Sequence, residues 1–199
     1  MKGSIIIVSF FVAGIICGQT GVLPLWLADS SVTMVALCML LLCVGAGIGS
    51  NPDIRREFST LHPRIVLLPL ATIIGSWAGA MAACIIVGRG LTDCLAVGSG
   101  FAYYSLSSIF ITEYRGAELG TIALIANVIR EMTTLLAAPL IARWLGPLAP
   151  ISAGGATSMD TTLPILSRTC GQQYTVVAVF HGFIVDFSVP FLVTMWCMI

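Results

Sequence analysis

The chain has 199 residues, 58% of them hydrophobic and only 9% charged, with nine basic and nine acidic side chains. Soluble domains carry roughly 25% charged residues, so the composition argues against a water-soluble globule. Zero formal net charge without a basic run argues against a nucleic-acid partner, and the length suits a single membrane domain over residues 1–199.

Seven hydrophobic segments follow one another, at residues 4–24, 31–50, 65–88, 91–112, 118–143, 149–167 and 174–198. They predict an all-α polytopic membrane protein whose helical segments are transmembrane or re-entrant, some of them broken by Gly or Pro. The first, "MKGSIIIVSFFVAGIICG", has the charge-then-apolar pattern of a signal peptide. Ile15 and Ile16 ahead of Cys17 leave no small-x-small cleavage site, so it reads as an uncleaved first span. The second, "VTMVALCMLLLCVGAGIG", ends in glycines suited to close helix packing. The third carries Pro69 and a small-xxx-small pair, Gly75 and Gly79, which reads as packing within one bundle.

Polarity concentrates in the later segments. The fourth opens with Gly98 and Gly100 and continues through Tyr103, Tyr104, Ser105, Ser107 and Ser108, reaching Glu113 at headgroup level. Asn127, Arg130 and Glu131 stand near the middle of the fifth, ahead of Pro139. The sixth holds "GGATSMDTTLP", with Asp160 among two glycines, hydroxyl side chains and Pro164. The seventh adds His181, Asp186 and Pro190. The stretches "GSGFAYYSLSS" and "GGATSMDTTLP" share a glycine-then-hydroxyl character, a hint of internal relationship and no more.

Seven cysteines lie mostly inside apolar runs, with neither a C-x-x-C pair nor a His-Cys cluster, and read as reduced small hydrophobes. No metal site and no cofactor are expected. If every segment crosses, Lys2, Arg55, Arg56, Arg64, Arg115 and Arg168 fall on one side against Arg89 and Arg143 on the other, which sets the N-terminus in the cytoplasm.

Ionisable groups at membrane depth cost at least about 2.5–3.5 kcal/mol each and persist where a partner or a polar cavity receives them. Asn127, Glu131 and Thr134 fall on one helical face at i, i+4 and i+7, while Arg130 and Glu131 point about 100° apart. Arg130 therefore looks for a partner elsewhere, and Asp160 is the natural one. A static salt bridge between two helices is the plain structural reading of that pair. Around Asp160, Gly154 and Gly155 admit unusual backbone angles, and Pro164 disturbs the turn before it. Thr157, Ser158, Thr161 and Thr162 can satisfy the freed backbone groups, the pattern of a discontinuous helix at a transporter midplane. A solvated surface loop is the alternative. His181 reads as a packing residue before a proton relay, and Asp186 as a further candidate.

At these residues the chain resembles the lysine exporter LysO family of prokaryotic inner-membrane proteins. The resemblance rests on "GSGFAYYSLSSIFITE", "NVIREM", "GATSMDTTLPIL" and "HGFIVDFSVPFL", with weaker support from "LLLCVGAGIGSN". It implies export of L-lysine and of toxic lysine analogues, with Glu131 matching the glutamate of the family's R-E pair and Asp160 the aspartate of its S-M-D motif. Longer members carry further spans ahead of the matched region. A small membrane subunit or a homo-oligomer is expected to supply them here, unless the chain works without them.

The reading is thus a secondary transporter in the prokaryotic inner membrane, exchanging lysine for protons. Glu131 and Asp160 are expected to line one cavity, with Asn127, Tyr104, Ser158 and Thr161 in support. Arg130 would either hold a carboxylate ionised or rest against the carboxylate of the substrate. The alternatives are a carrier for another metabolite or cation, and a non-transporting subunit whose charges only pair helices. No enzyme activity is expected: H-E-x-x-H, a G-x-S-x-G elbow and paired histidines on one face are all missing from the sequence.

Overall fold

The computed structural model of the chain describes residues 63–199 and, ahead of them, residues 9, 12–14, 16–20, 39, 42 and 46. Segment 4–24 is thus described only at residues 9, 12–14 and 16–20, and segment 31–50 only at 39, 42 and 46; the rest of both expectations lies outside the described residues. Contacts divide the chain into two compact units, Met1–Leu61 and His62–Ile199. In the first, residues 12–14 and 16–20 are helical. The second holds the architecture that follows.

Every regular element among the described residues is helical. Helix α1 spans Leu68–Val87 after a 3-10 turn at Pro63–Leu67. Helices α2 (Leu91–Gly98) and α3 (Tyr104–Arg115) divide the fourth hydrophobic segment. Helix α4 covers Ala117–Leu145. The sixth segment becomes α5 (Leu148–Gly154), a 3-10 turn at Gly155–Met159, and α6 (Leu163–Cys170). Helix α7 covers Thr175–Met198.

Among the described residues, three helical stretches are long and apolar enough to cross a bilayer: Ile65–Val87, Ala117–Leu145 and Gln172–Met198. At about 1.5 Å per residue, even the shortest runs roughly 35 Å, past a hydrocarbon core of about 30 Å. The protein is a membrane protein. Helix α1 stops where Gly88, at φ +69°, takes the left-handed conformation that glycine tolerates and donates its N–H to the Cys84 carbonyl.

The fourth and sixth segments each break into two short helices that fold back on one another. Arg89, just past α1, pairs with Glu118 at the start of α4. Arg115, at the end of α3, stands 3.4 Å from Asp93 at the start of α2. Arg115 also donates to the carbonyls of Trp196 and Cys197 at the end of α7. The end of α1, both ends of the α2–α3 hairpin, the start of α4 and the end of α7 therefore share one end of the unit. Since α4 and α7 both run the full length, the α5–α6 hairpin between them enters from the other end. A long apolar helix followed by a helical hairpin thus occurs twice, in opposite directions, before α7 closes the unit.

This changes the charge sums made on seven crossings. Arg115 lies at the end that carries Arg89, not opposite it. Arg64, Arg143 and Arg168 belong by their helices to the other end.

The buried core joins the hairpins to α4 and α7. Ala96, Phe101, Ile111, Leu119, Ala123, Ala156, Val185, Val189 and Val193 form one cluster. Gly120 lets α3 and α4 come together: a Cβ there would fall 1.8 Å from Thr112 Oγ1.

Candidate functional site

The two hairpin tips meet inside the protein. Between α2 and α3 the chain turns through Phe101 and Ala102, at φ +44° and +72°, a region non-glycine residues rarely enter. Both are fully buried. The strained turn is held by its neighbours: Ala102 N–H donates to Asn127 Oδ1 at 2.8 Å, and the Phe101 carbonyl accepts from Ala156 N–H at 2.9 Å. That second bond joins one tip directly to the other. Gly155 makes it possible, because at φ +60° a Cβ would stand 2.2 Å from the Phe101 carbonyl oxygen.

The second tip is the interrupted helix expected around Asp160. The Thr157 carbonyl gathers the N–H of Asp160 at 3.2 Å, the N–H of Thr162 at 3.1 Å and the Thr162 hydroxyl at 2.8 Å. Asp160 sits at φ −132°, ψ −94°, outside helical geometry. Pro164 plays a different part from the one its chemistry suggested. It opens α6, where a missing N–H costs nothing, rather than disturbing the preceding turn.

One turn of α4 serves both tips. Asn127, Glu131 and Thr134 are buried together, the face read from their spacing. Asn127 steadies the first tip, donating also to the Ala123 carbonyl at 2.9 Å. Glu131 reaches the second, where Thr161 Oγ1 donates to its Oε1 at 2.5 Å. The same hydroxyl oxygen is 3.3 Å from Asp160 Oδ1, and the Thr161 N–H lies 2.5 Å from that Oδ1. A hydroxyl has one hydrogen to give, and the shorter contact takes it. The two carboxylates are thus linked through a single residue while Asp160 keeps a backbone donor. Asp186 on α7 lies within electrostatic range of Asp160, as do Tyr103 and Tyr104.

Arg130 does not pair with Asp160. Its Nε–H donates to the Ala153 carbonyl at 2.9 Å, one terminal nitrogen to the Ser152 carbonyl at 3.1 Å and the other to Ser76 Oγ at 2.9 Å. The guanidinium also stands 5.8 Å from the centre of the Phe101 ring. These carbonyls close α5, where its dipole is negative; that of Ser152 also accepts the Gly155 N–H and uses its second lone pair for the guanidinium.

The remaining candidates scatter by function. Ser158 is buried, donating to the Ala178 carbonyl at 2.9 Å and meeting His181 Nδ1 at 3.0 Å. His181, fully buried, also meets Thr72 Oγ1 at 2.8 Å through Nε2. It packs α1, α7 and the second tip together. Glu113 is exposed on the last turn of α3. Tyr104 is half-exposed at the start of α3. Among the described residues no three His, Cys, Asp or Glu side chains converge as metal ligands. Sequence reasoning did not single out Phe101, Ala102, Ser76 or Ser152. The Gly98-x-Gly100 pair marked the first break, but nothing local marks which carbonyls an arginine will choose.

The family profile described as "Lysine exporter LysO" matches residues 8–197, nearly the whole sequence. The chain belongs to the lysine exporter LysO family. It is 33% identical over 157 residues to the protein named "Lysine exporter LysO" of Escherichia coli, an alignment covering 79% of this chain and 52% of that one. It is 29% identical over 159 residues to the Haemophilus influenzae protein named "Putative lysine exporter", covering 80% of each. The chain thus spans about half the length of its LysO relative from E. coli. No solved structure matches it.

Proposed function

We propose that this chain forms the transport core of an L-lysine exporter, carrying lysine and toxic lysine analogues out of the cytoplasm in exchange for protons. Membership of the LysO family supports the substrate class. One structural observation carries the mechanism: Thr161 links Glu131 to Asp160 at the inner tip of a re-entrant hairpin. Taking a lysine ammonium out of water without a partner is prohibitive, and carboxylates waiting at membrane depth offset that cost. Lysine and protons compete for this pair. Protonation on the outer side releases the amino acid and discharges the site, which lets the empty carrier return.

Asp186 adds negative potential from α7, and Tyr104 shapes the approach. Asn127 and Ser158 hold the two tips in register. The seven hydrophobic segments act as one domain in the prokaryotic inner membrane, with the N-terminus in the cytoplasm. Arg64, Arg143 and Arg168 at one end against Arg89 and Arg115 at the other support that orientation, the basic end facing inward. The protein works as a carrier and not as an enzyme.

The test is lysine efflux from vesicles containing only this chain, with and without a pH gradient, beside resistance of expressing cells to a toxic lysine analogue. Glu131→Gln and Asp160→Asn should each abolish gradient-driven efflux and resistance at undiminished membrane levels. Wild-type rates in both variants would defeat the coupling mechanism. Lost protein level instead would mark the acids as helix-pairing groups. Gradient-driven movement of another solute, with lysine left behind, would move the substrate assignment.

A further inference from the structure

Two open clefts run along the seam between α1 and α4, and Arg130 lies where they meet. One, of about 470 Å³, is lined by the first half of α1, the second half of α4 and α5, including Thr72, Thr133 and Ser152. The other, of about 380 Å³, is lined by the second half of α1, the first half of α4 and α2, including Asp93. Ser76 and Arg130 line both. Because α1 and α4 run in opposite directions, the clefts reach toward opposite ends of the unit. Their shared residues fall near the middle of both helices, at about the depth of the bilayer centre.

The state of the guanidinium there is unusual. Its hydrogen bonds go to two backbone carbonyls and one serine hydroxyl, all neutral groups. The ion pairs among the described residues are Arg89 with Glu118 and Arg115 with Asp93, and neither involves Arg130. A guanidinium has five N–H groups, and these bonds use three. Among the described residues, this midplane cation thus has two donors unused and no counter-charge, beside space a ligand can enter. Glu131 does not fill that need: it points around the helix to Thr161.

We infer that Arg130, with Ser76, is the seat for the carboxylate of an amino-acid substrate, reached from either end of the protein through the two clefts. A planar guanidinium offers paired donors matched to a carboxylate, and such charge-assisted bonds are among the strongest available. The bonds to Ser152 and Ala153 fix its fork, so binding loses little side-chain freedom. This assignment rests on the amino-acid export reading and sharpens it. The acids at the tip recognise cationic character, whereas Arg130 demands a carboxylate and so discriminates against diamines of the same length.

The experiment measures binding of three ligands to purified protein: lysine, 6-aminohexanoate (lysine without its α-amino group) and cadaverine (lysine without its carboxylate). Wild type should bind lysine and 6-aminohexanoate. Arg130→Gln should weaken both by on the order of tenfold or more, as loss of a charged hydrogen-bond partner requires. Cadaverine binding should hold, and Arg130→Lys should recover part of the loss. Equal lysine affinity in wild type and Arg130→Gln overturns the assignment while leaving the export reading intact. So does an equal loss for all three ligands that Arg130→Lys does not recover, since that marks a structural role. Arg130-dependent binding of 6-aminohexanoate without any binding of lysine has the opposite meaning: the carboxylate seat stands and lysine export falls.

Discussion

The Thr161 hydroxyl stands 2.5 Å from Glu131 Oε1 and 3.3 Å from Asp160 Oδ1, so one small side chain sets the spacing of the two acids. Thr161→Val keeps the shape and removes the donor. Leaving a buried carboxylate oxygen without its partner costs about 1–3 kcal/mol. Gradient-driven lysine efflux should therefore fall by roughly tenfold, with the protein still folded, while Thr161→Ser stays within a factor of about three. Vesicle efflux at several pH values checks this. An unchanged rate in the valine variant would show that the hydroxyl does not couple the acids.

Gly155 is the point at which the two hairpin tips touch. Gly155→Ala places a methyl group 2.2 Å from the Phe101 carbonyl and forces an alanine into φ +60°. The tips must separate, and the Ala156-to-Phe101 bond goes with them. The expected loss of stability is about 2–4 kcal/mol. Gly79→Ala makes the contrast, because among the described residues its Cβ meets nothing within 4 Å and alanine is the better helix former by about 1 kcal/mol. Thermal unfolding in detergent should show a large drop for the first and none for the second.

Much of this organisation could be read in advance, for identifiable reasons. Asn127, Glu131 and Thr134 announce a buried face because helix geometry fixes their spacing, and they share it in the fold. Gly154, Gly155 and Asp160 signal a broken helix because glycine backbone freedom and a charged residue at depth both act locally. Arg130 was misread for the opposite reason. Its choice of the Ser152 and Ala153 carbonyls over Asp160 depends on where α5 ends in space. Hydropathy likewise cannot separate a span from a hairpin of the same length. Arg89 with Glu118 and Arg115 with Asp93, residues 29 and 22 apart in sequence, betray the fold-back. The stretches "GSGFAYYSLSS" and "GGATSMDTTLP" each hold a hairpin tip, and the two tips enter from opposite ends.

Asn127 holds the other side of that junction. Its Oδ1 is the partner of the Ala102 N–H, in the only two consecutive non-glycine positions of positive φ among the described residues. Asn127→Ala leaves that buried N–H unpaired, at a cost of about 1–3 kcal/mol, and relaxes the turn. The melting midpoint should fall. Hydrogen exchange should rise at Phe101 and Ala102 more than in α7, which separates a local opening from general destabilisation. Uniform exchange across both regions would mean that Asn127 does not secure the tip.

His181 decides between packing and proton transfer. Ser158 gives its hydroxyl hydrogen to the Ala178 carbonyl, so toward the imidazole it accepts, and Nδ1 carries the proton. Nε2 then accepts from Thr72, whose oxygen stands 2.7 Å from Ser152 Oγ. The ring is a neutral link between α1, α7 and the second tip, with no solvent exposure through which to exchange a proton. His181→Leu removes the link and leaves the Thr72 hydroxyl to the Leu68 carbonyl at 3.0 Å, so stability should fall by about 1–2 kcal/mol. The pH at which residual lysine efflux reaches half its maximum should stay where it is in wild type. Both quantities come from one preparation, through a thermal melt and an efflux profile over pH. A shifted profile with an unchanged melt would make His181 a relay, and the coupling would then have to run through α7 as well as Glu131 and Asp160.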